Sequence, residues 1–272
     1  MEQGGGGLEH RNSMAVYSII SDYPGTRSQT GWLGFIAHEY FHLFNVKSIR
    51  PIVLGPFDYD KGNLTNELWL SEGGTVYYQE IILNRAGFTN SDLFLRAMER
   101  TIRSHENIPG HLFQSVGQSS WDTWINFFSR SANSRDVTIS YYDKGCTICM
   151  LVDLAIRNGS KNKNSLDDVM RTLYYDYHKK QNRGFTAEEL RGECEKAAQT
   201  DLSEIFDVYI PTTEQIDYSK YLAYAGLKID LSPDGPEEMI LGKTFQKKKF
   251  DITKMAETTK LQEEIFSSWT RN

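Results

Sequence analysis

Three cysteines among 272 residues are too few to build a disulfide framework. Cys146 and Cys149 have no second pair to complete a metal site and lie in an apolar helical run, so they are expected as core residues on one helix face. No apolar stretch reaches the length that spans a bilayer, and no signal peptide opens the chain. Positive charge is also short: 30 Lys and Arg against 36 Asp and Glu leave a net charge of −6, which disfavours nucleic acid or an anionic membrane as partner. Lys247-Lys248-Lys249 is the one compact basic run and reads as a solvated face. No internal repeat or coiled-coil period is present.

What remains is the composition of a soluble globular protein, 39% hydrophobic and 24% charged, long enough to bury a substantial core. Met1-Glu2-Gln3 followed by Gly4 to Gly7 reads as a cut end, so the compartment, cytoplasmic or periplasmic, is not legible. Met14 to Ile20 has β-forming composition, with a turn at Asp22-Tyr23-Pro24-Gly25. Thr30 to Val46 is predicted helical and apolar on more than one side, hence buried. Asn66 is expected to cap a helix from about Glu67 to Arg85, stopped by Gly87, and a further helix spans Tyr142 to Arg157 and ends at Asn158-Gly159. Ser165 and Thr186 open capping boxes, and Asp201 opens a short helix closed by Pro211. Residues 212–253 read as short strands or irregular chain, with Pro233-Asp234-Gly235-Pro236 as a turn, before a final amphipathic helix capped at Thr259. The expected division is a unit over 1–211 and a C-terminal extension over 212–272 packed on it.

Within the first long helix, His38-Glu39-Tyr40-Phe41-His42 reads His-Glu-x-x-His. Residues four apart project from one helix face, so both imidazoles can reach a single zinc ion while Glu39 reaches a water beside it. Zinc hydrolases hold the metal with three protein ligands. Glu72, in Trp69-Leu70-Ser71-Glu72-Gly73, is the best third ligand, although a first-turn Glu also suits a helix dipole; Glu67, Asp58, His105 and His111 are the alternatives, the last two reading as loop histidines. Glu9 lies upstream on an extended segment, where a carboxylate near the metal can clamp a peptide's α-ammonium; a salt bridge to Arg11 is its plainer role. Tyr142 can donate its phenol proton to an oxyanion, or simply pack at a helix start.

Several separate motifs in order make the sequence resemble the glycyl aminopeptidase family of gluzincin zinc metallopeptidases. They are Gly-Gly-Leu-Glu-His-x-Asn-Ser at 6–13, His-Glu-Tyr-Phe-His-Leu-Phe-Asn-Val-Lys-Ser-Ile-Arg-Pro at 38–51, Leu-Gly-Pro-Phe-Asp-Tyr at 54–59, Leu-Trp-Leu-Ser-Glu-Gly at 68–73 and Ser-Tyr-Tyr-Asp-Lys-Gly at 140–145. The resemblance implies Zn2+ held by His38, His42 and Glu72, with Glu39 as general base, Tyr142 as oxyanion donor and Glu9 as recogniser of a substrate amine. It implies an α+β, predominantly α-helical, thermolysin-like catalytic domain with a small sheet. The implied activity is zinc-dependent aminopeptidase cleavage of peptides with a free N-terminus; an endopeptidase or a catalytically weak peptide-binding module is the alternative. His10 stands where the wider aminopeptidase motif has Asn, and Gly74 where this branch usually has Phe. Family members also generally carry an N-terminal β domain and often a PDZ domain, neither of which the sequence shows.

Overall fold

The computed structural model describes residues 6–17, 29–126 and 131–270. The expected turn at 22–25, and the part of the first strand beyond Tyr17, lie outside them. The described chain opens with an antiparallel hairpin, β1 (Gly6–Glu9) on β2 (Met14–Tyr17), in which Glu9 faces Met14. The hairpin lies against α1 (Gln29–Phe41), which packs beside α2 (Gly74–Arg85).

The motif helix is shorter than its apolar run suggested. α1 ends at Phe41, and His42 keeps one helical bond to the His38 carbonyl, 3.2 Å, before the chain continues in tight turns to Ile49. Nor is this segment buried all round, since Tyr40 and Phe44 are exposed. Hydrophobicity on every side predicts burial, but the described chain supplies packing partners for only part of that surface.

Asn66 does not cap the next helix. The segment Trp69–Gly73 winds as a π-turn whose N-terminus carries no side-chain cap, and it runs directly into α2. Gly87 sits at φ +77 just beyond the end of α2, the left-handed position that suits glycine. α3 (Ser91–Glu106) follows, capped by Asn90 accepting from Leu93 N at 2.9 Å. After the short helices α4 (Val116–Trp121), α5 (Thr123–Asn126) and α6 (Ser134–Val137) comes α7 (Tyr141–Gly159).

α7 is the central element: 15 of its 19 residues are buried, and it packs on the 69–73 π-turn, α2, α3 and a later helix, α9 (Ala187–Ala198). Cys146 and Cys149 are unpaired core residues on it, as expected. Its buried charge is neutralised locally. Asp153 accepts from Tyr77 Oη at 2.6 Å, Arg157 Nε at 3.1 Å and the Leu166 amide at 2.7 Å, so both carboxylate oxygens are hydrogen-bonded and the charge is paired.

The capping boxes hold. Asp168 accepts from Ser165 N at the start of α8 (Leu166–Thr172), and Thr186 and Glu189 exchange bonds of 2.9 and 3.2 Å at the start of α9. Two elements beyond Pro211 differ from expectation. A helix, α10 (Tyr218–Ala223), stands in the stretch read as strand or irregular, its apolar face covered because Tyr218, Tyr221 and Leu222 reach the core. Pro233 to Pro236 is not a turn but the bulged start of β4 (Pro233–Ile240), whose hairpin to β5 (Lys243–Lys248) reverses at Leu241-Gly242 with φ of 47° and 81°. Two positive φ values match the right-handed twist of a hairpin, and that requirement outweighed the Pro-Asp-Gly-Pro composition. β3 (Leu227–Asp230) pairs with β6 (Asp251–Lys254), and α11 (Lys260–Thr270) closes the molecule. Its Trp269 is buried against Phe94 and donates to Tyr77 Oη at 2.7 Å.

The result is α+β and helix-dominated, with three small antiparallel sheets among the described residues. Among the described residues no helix is long and apolar enough to cross a membrane.

Candidate metal centre and active site

The end of α1 presents His38 and His42 one turn apart, their Nε2 atoms 3.1 Å from each other. The π-turn brings Glu72 opposite them, with Oε2 3.4 Å from His38 Nε2 and 3.2 Å from His42 Nε2. A tetrahedral ion about 2.0–2.1 Å from each donor requires donor separations of roughly 3.3–3.4 Å, so the three atoms already outline one face of a zinc site. The two nitrogens and a carboxylate are the donor set for zinc with a position left for water. Of the alternative third ligands, none joins this cluster.

The imidazole of His42 is fixed from behind. Its Nδ1 is 2.7 Å from the Asn45 carbonyl, so the proton belongs on Nδ1 and the Nε2 lone pair faces the cluster. Asn45 in turn donates its amide to the Leu70 and Ser71 carbonyls, 2.8 and 3.1 Å, and to Thr75 Oγ1 at 3.1 Å. One buried side chain thus ties the turn after α1 to the π-turn that carries Glu72. Sequence reasoning missed Asn45 and Thr75, because a buried Asn looks like any loop Asn until its acceptors are placed. Burial works to raise the Glu72 carboxyl, but in the metal-free site the adjacent His38 and His42, when protonated, outweigh it and bring it down to about 2.

Glu39, one step round the helix, is buried. Burial raises its pKa; the two imidazoles oppose the shift, and the carboxylates of Glu9 and Glu72 reinforce it. The upward shift moves Glu39 toward the range of a working general base. Tyr142 reaches the same place from the first turn of α7. Its ring stacks at 6.2 Å from that of His38 and at 4.8 Å from that of Tyr141. Burial, then the nearby Glu72 carboxylate, raises the phenol pKa, so it stays protonated and able to donate.

Glu9 also arrives here. Oxygen atoms of Glu9 and Glu39 and a ring nitrogen of His42 lie within 4.8 Å of one another. Its partner is not Arg11 but Lys47, whose Nζ stands 2.9 Å from Oε1. The two histidines expected in loops, His105 and His111, lie instead on α3 and in a 3₁₀ turn over Pro109–Leu112. His105 is fully buried on α3, its Nε2 3.1 Å from Thr147 Oγ1, and His111 sits 3.5 Å from the buried Glu106.

The fold is of the helix-dominated α+β class. More particularly, residues 31–148, from α1 into α7, match the family model of the M61 glycyl aminopeptidases, which bears out the resemblance drawn from the motifs. The structure also superimposes on the crystal structure of an aminopeptidase N family protein from Idiomarina loihiensis, with a TM-score of 0.78 and 27% identity over 86% of this chain and 40% of that one. The chain thus spans less than half the length of that protein. No curated protein sequence matches it.

Proposed function

We propose that the chain is a zinc-dependent peptidase acting as an aminopeptidase, with His38, His42 and Glu72 as metal ligands. The observation that carries this reading is the convergence of their three donor atoms at 3.1–3.4 Å, with the buried carboxyl of Glu39 alongside. Zinc, when bound there, supplies a Lewis acid for the scissile carbonyl and lowers the pKa of a coordinated water to roughly 7.

The protein's own groups do the rest. Glu39 accepts the proton of the attacking water and returns it to the leaving amine, a role its raised pKa suits. The Tyr142 hydroxyl donates to the oxyanion as it forms. Glu9 offers its carboxylate to the substrate's α-ammonium, a reading supported by its pairing with the Lys47 ammonium at 2.9 Å. Residues 1–211 form the catalytic unit in this proposal, with 212–272 packed on it through contacts such as Trp269 on Tyr77.

One observation favours a second reading. Because Lys47 already neutralises Glu9, the site does not demand a substrate ammonium, which an endopeptidase would not supply. Peptides with free and acetylated N-termini separate the two: an aminopeptidase loses the acetylated series, and an endopeptidase cleaves both.

The central test is Glu39→Gln. The variant retains stoichiometric zinc by elemental analysis while hydrolysis of glycyl and alanyl substrates falls at least about 100-fold. Wild-type activity in this variant would overturn the proposal. A chelator abolishes turnover in the parent, and added zinc restores it.

A further inference from the structure

The cavity beside Glu72 carries a positive charge that the metal chemistry does not use. It has a volume of ≈ 360 Å³ and runs from Glu9 and Glu72 to Lys47, Arg50, Leu54 and Phe57. Lys47 is committed to Glu9 at 2.9 Å. Arg50 is not committed to any acid: among the described residues no carboxylate lies within 4.0 Å of its guanidinium. Its Nη1 donates to the Lys47 carbonyl at 3.3 Å, while Nε is shielded from solvent and has no acceptor.

The position of Arg50 is nonetheless well determined. Its carbonyl accepts from Phe185 N at 3.0 Å, and the following turn is held by Ile52 N on the Phe185 carbonyl at 2.8 Å. The guanidinium packs against Gly55, where an added methyl would stand 2.3 Å from Nε and 2.8 Å from Nη2. A planar, permanently charged fork is therefore held at the wall of a cavity that Glu72 also lines. A carboxylate is the group whose geometry matches the guanidinium in a bidentate pair.

We infer that this cavity is a substrate subsite for a carboxylate, bound by Arg50 while Lys47 remains paired with Glu9. The inference rests on the peptidase reading and names the substrate class it implies: peptides with an acidic residue beside the scissile bond, or dipeptides whose own C-terminal carboxylate reaches the same fork. Leu54 and Phe57 cover the aliphatic part of either.

The test is peptide binding by calorimetry to zinc-loaded Glu39→Gln protein, which reads recognition without turnover. One arm compares glutamyl-alanine amide with glutaminyl-alanine amide, the other alanyl-alanine with its amide. In at least one arm the carboxylate form binds about tenfold tighter or more. A preference in the first arm assigns an acidic side chain as the source, and in the second the peptide C-terminus. Adding Arg50→Gln brings the preferred ratio to near one, and Arg50→Lys, which keeps the charge but not the fork, leaves it in between. Ratios below about twofold in both arms, or a ratio that survives both Arg50 variants, would overturn the inference. If the parent protein cleaves no peptide at all, the peptidase reading falls while the binding ratios still decide the role of Arg50.

Discussion

The Glu39 carboxylate rests against the backbone of β1. A methyl added at Gly7 would stand 2.0 Å from its Cδ and 2.1 Å from Oε1, so a glycine there is a condition for the base to occupy its place. The atoms displaced are the free end of a flexible side chain, which can swing away without moving the fold. Gly7→Ala is thus expected to cut peptide hydrolysis at least about tenfold while shifting the unfolding midpoint by less than about 0.5 kcal/mol equivalent. Kinetics and a denaturant titration on the same sample check this, and an unfolded variant or full activity would contradict it. From sequence, Gly7 was visible only as part of a motif. The reason for it is a contact between residues 7 and 39 that no local pattern encodes.

At the scale of elements, the site depends on how closely α7 approaches the π-turn. A Cβ on Gly73 would lie 2.4 Å from Gly145 Cα, and one on Gly145 would lie 2.3 Å from the Trp69 carbonyl oxygen. Backbone meets backbone at this crossing, which sets Tyr142 beside Glu72. Neither side can yield as a side chain can. Gly145→Ala is therefore expected to destabilise the protein by about 1–3 kcal/mol or more, since overpacking a close contact forces the elements apart. It should also weaken zinc binding, because Glu72 moves with the π-turn. Chemical denaturation of the metal-free protein measures the first effect and a zinc titration the second; a variant with parental stability and affinity would show that the crossing is looser than described. The helices themselves were largely legible, because α7 and α9 carry caps and apolar periodicity in their own residues. The π-turn was not, because its wider winding depends on Asn45 bonding to the Leu70 and Ser71 carbonyls from another segment.

For the whole molecule, the buried polar cluster between α3 and α7 sets the response to acid. Burial pushes the His105 imidazole down to about 3, with Glu106 opposing and Lys144 adding to the shift. A histidine whose folded pKa lies below its unfolded value of 6.5 stabilises the protein fully above that value, and the contribution is lost as the pH falls toward 3. The Glu106 carboxyl, which burial alone would raise, is held below 4.5 by His105, His111 and a bond of 2.6 Å from Tyr218. Its contribution is present above 4.5 and lost below it, in the same direction. The metal-free protein should therefore lose stability progressively from about pH 6.5 downward, and His105→Gln, which keeps a bonding partner for Thr147 without titrating, should flatten the upper part of that slope. Urea midpoints across the range measure it, and an unchanged slope in the variant would assign the acid response to other groups.

The amino-acid sequence by itself determined the pieces whose physics is local: helix faces and caps, the pairing of two histidines with a glutamate on one helix, and a net charge that disfavours polyanions. It also carried enough separated motifs to indicate the family. Only the tertiary structure decided what meets what. It brought Glu72 to within 3.4 Å of both histidines, gave Glu9 to Lys47 rather than Arg11, buried His105, and left Arg50 at a cavity wall with no carboxylate among the described residues close enough to pair with it. These outcomes depend on contacts between residues far apart in the chain, where burial, close backbone approach and unmatched donors arise only once the elements pack. Spacing along the sequence cannot express them.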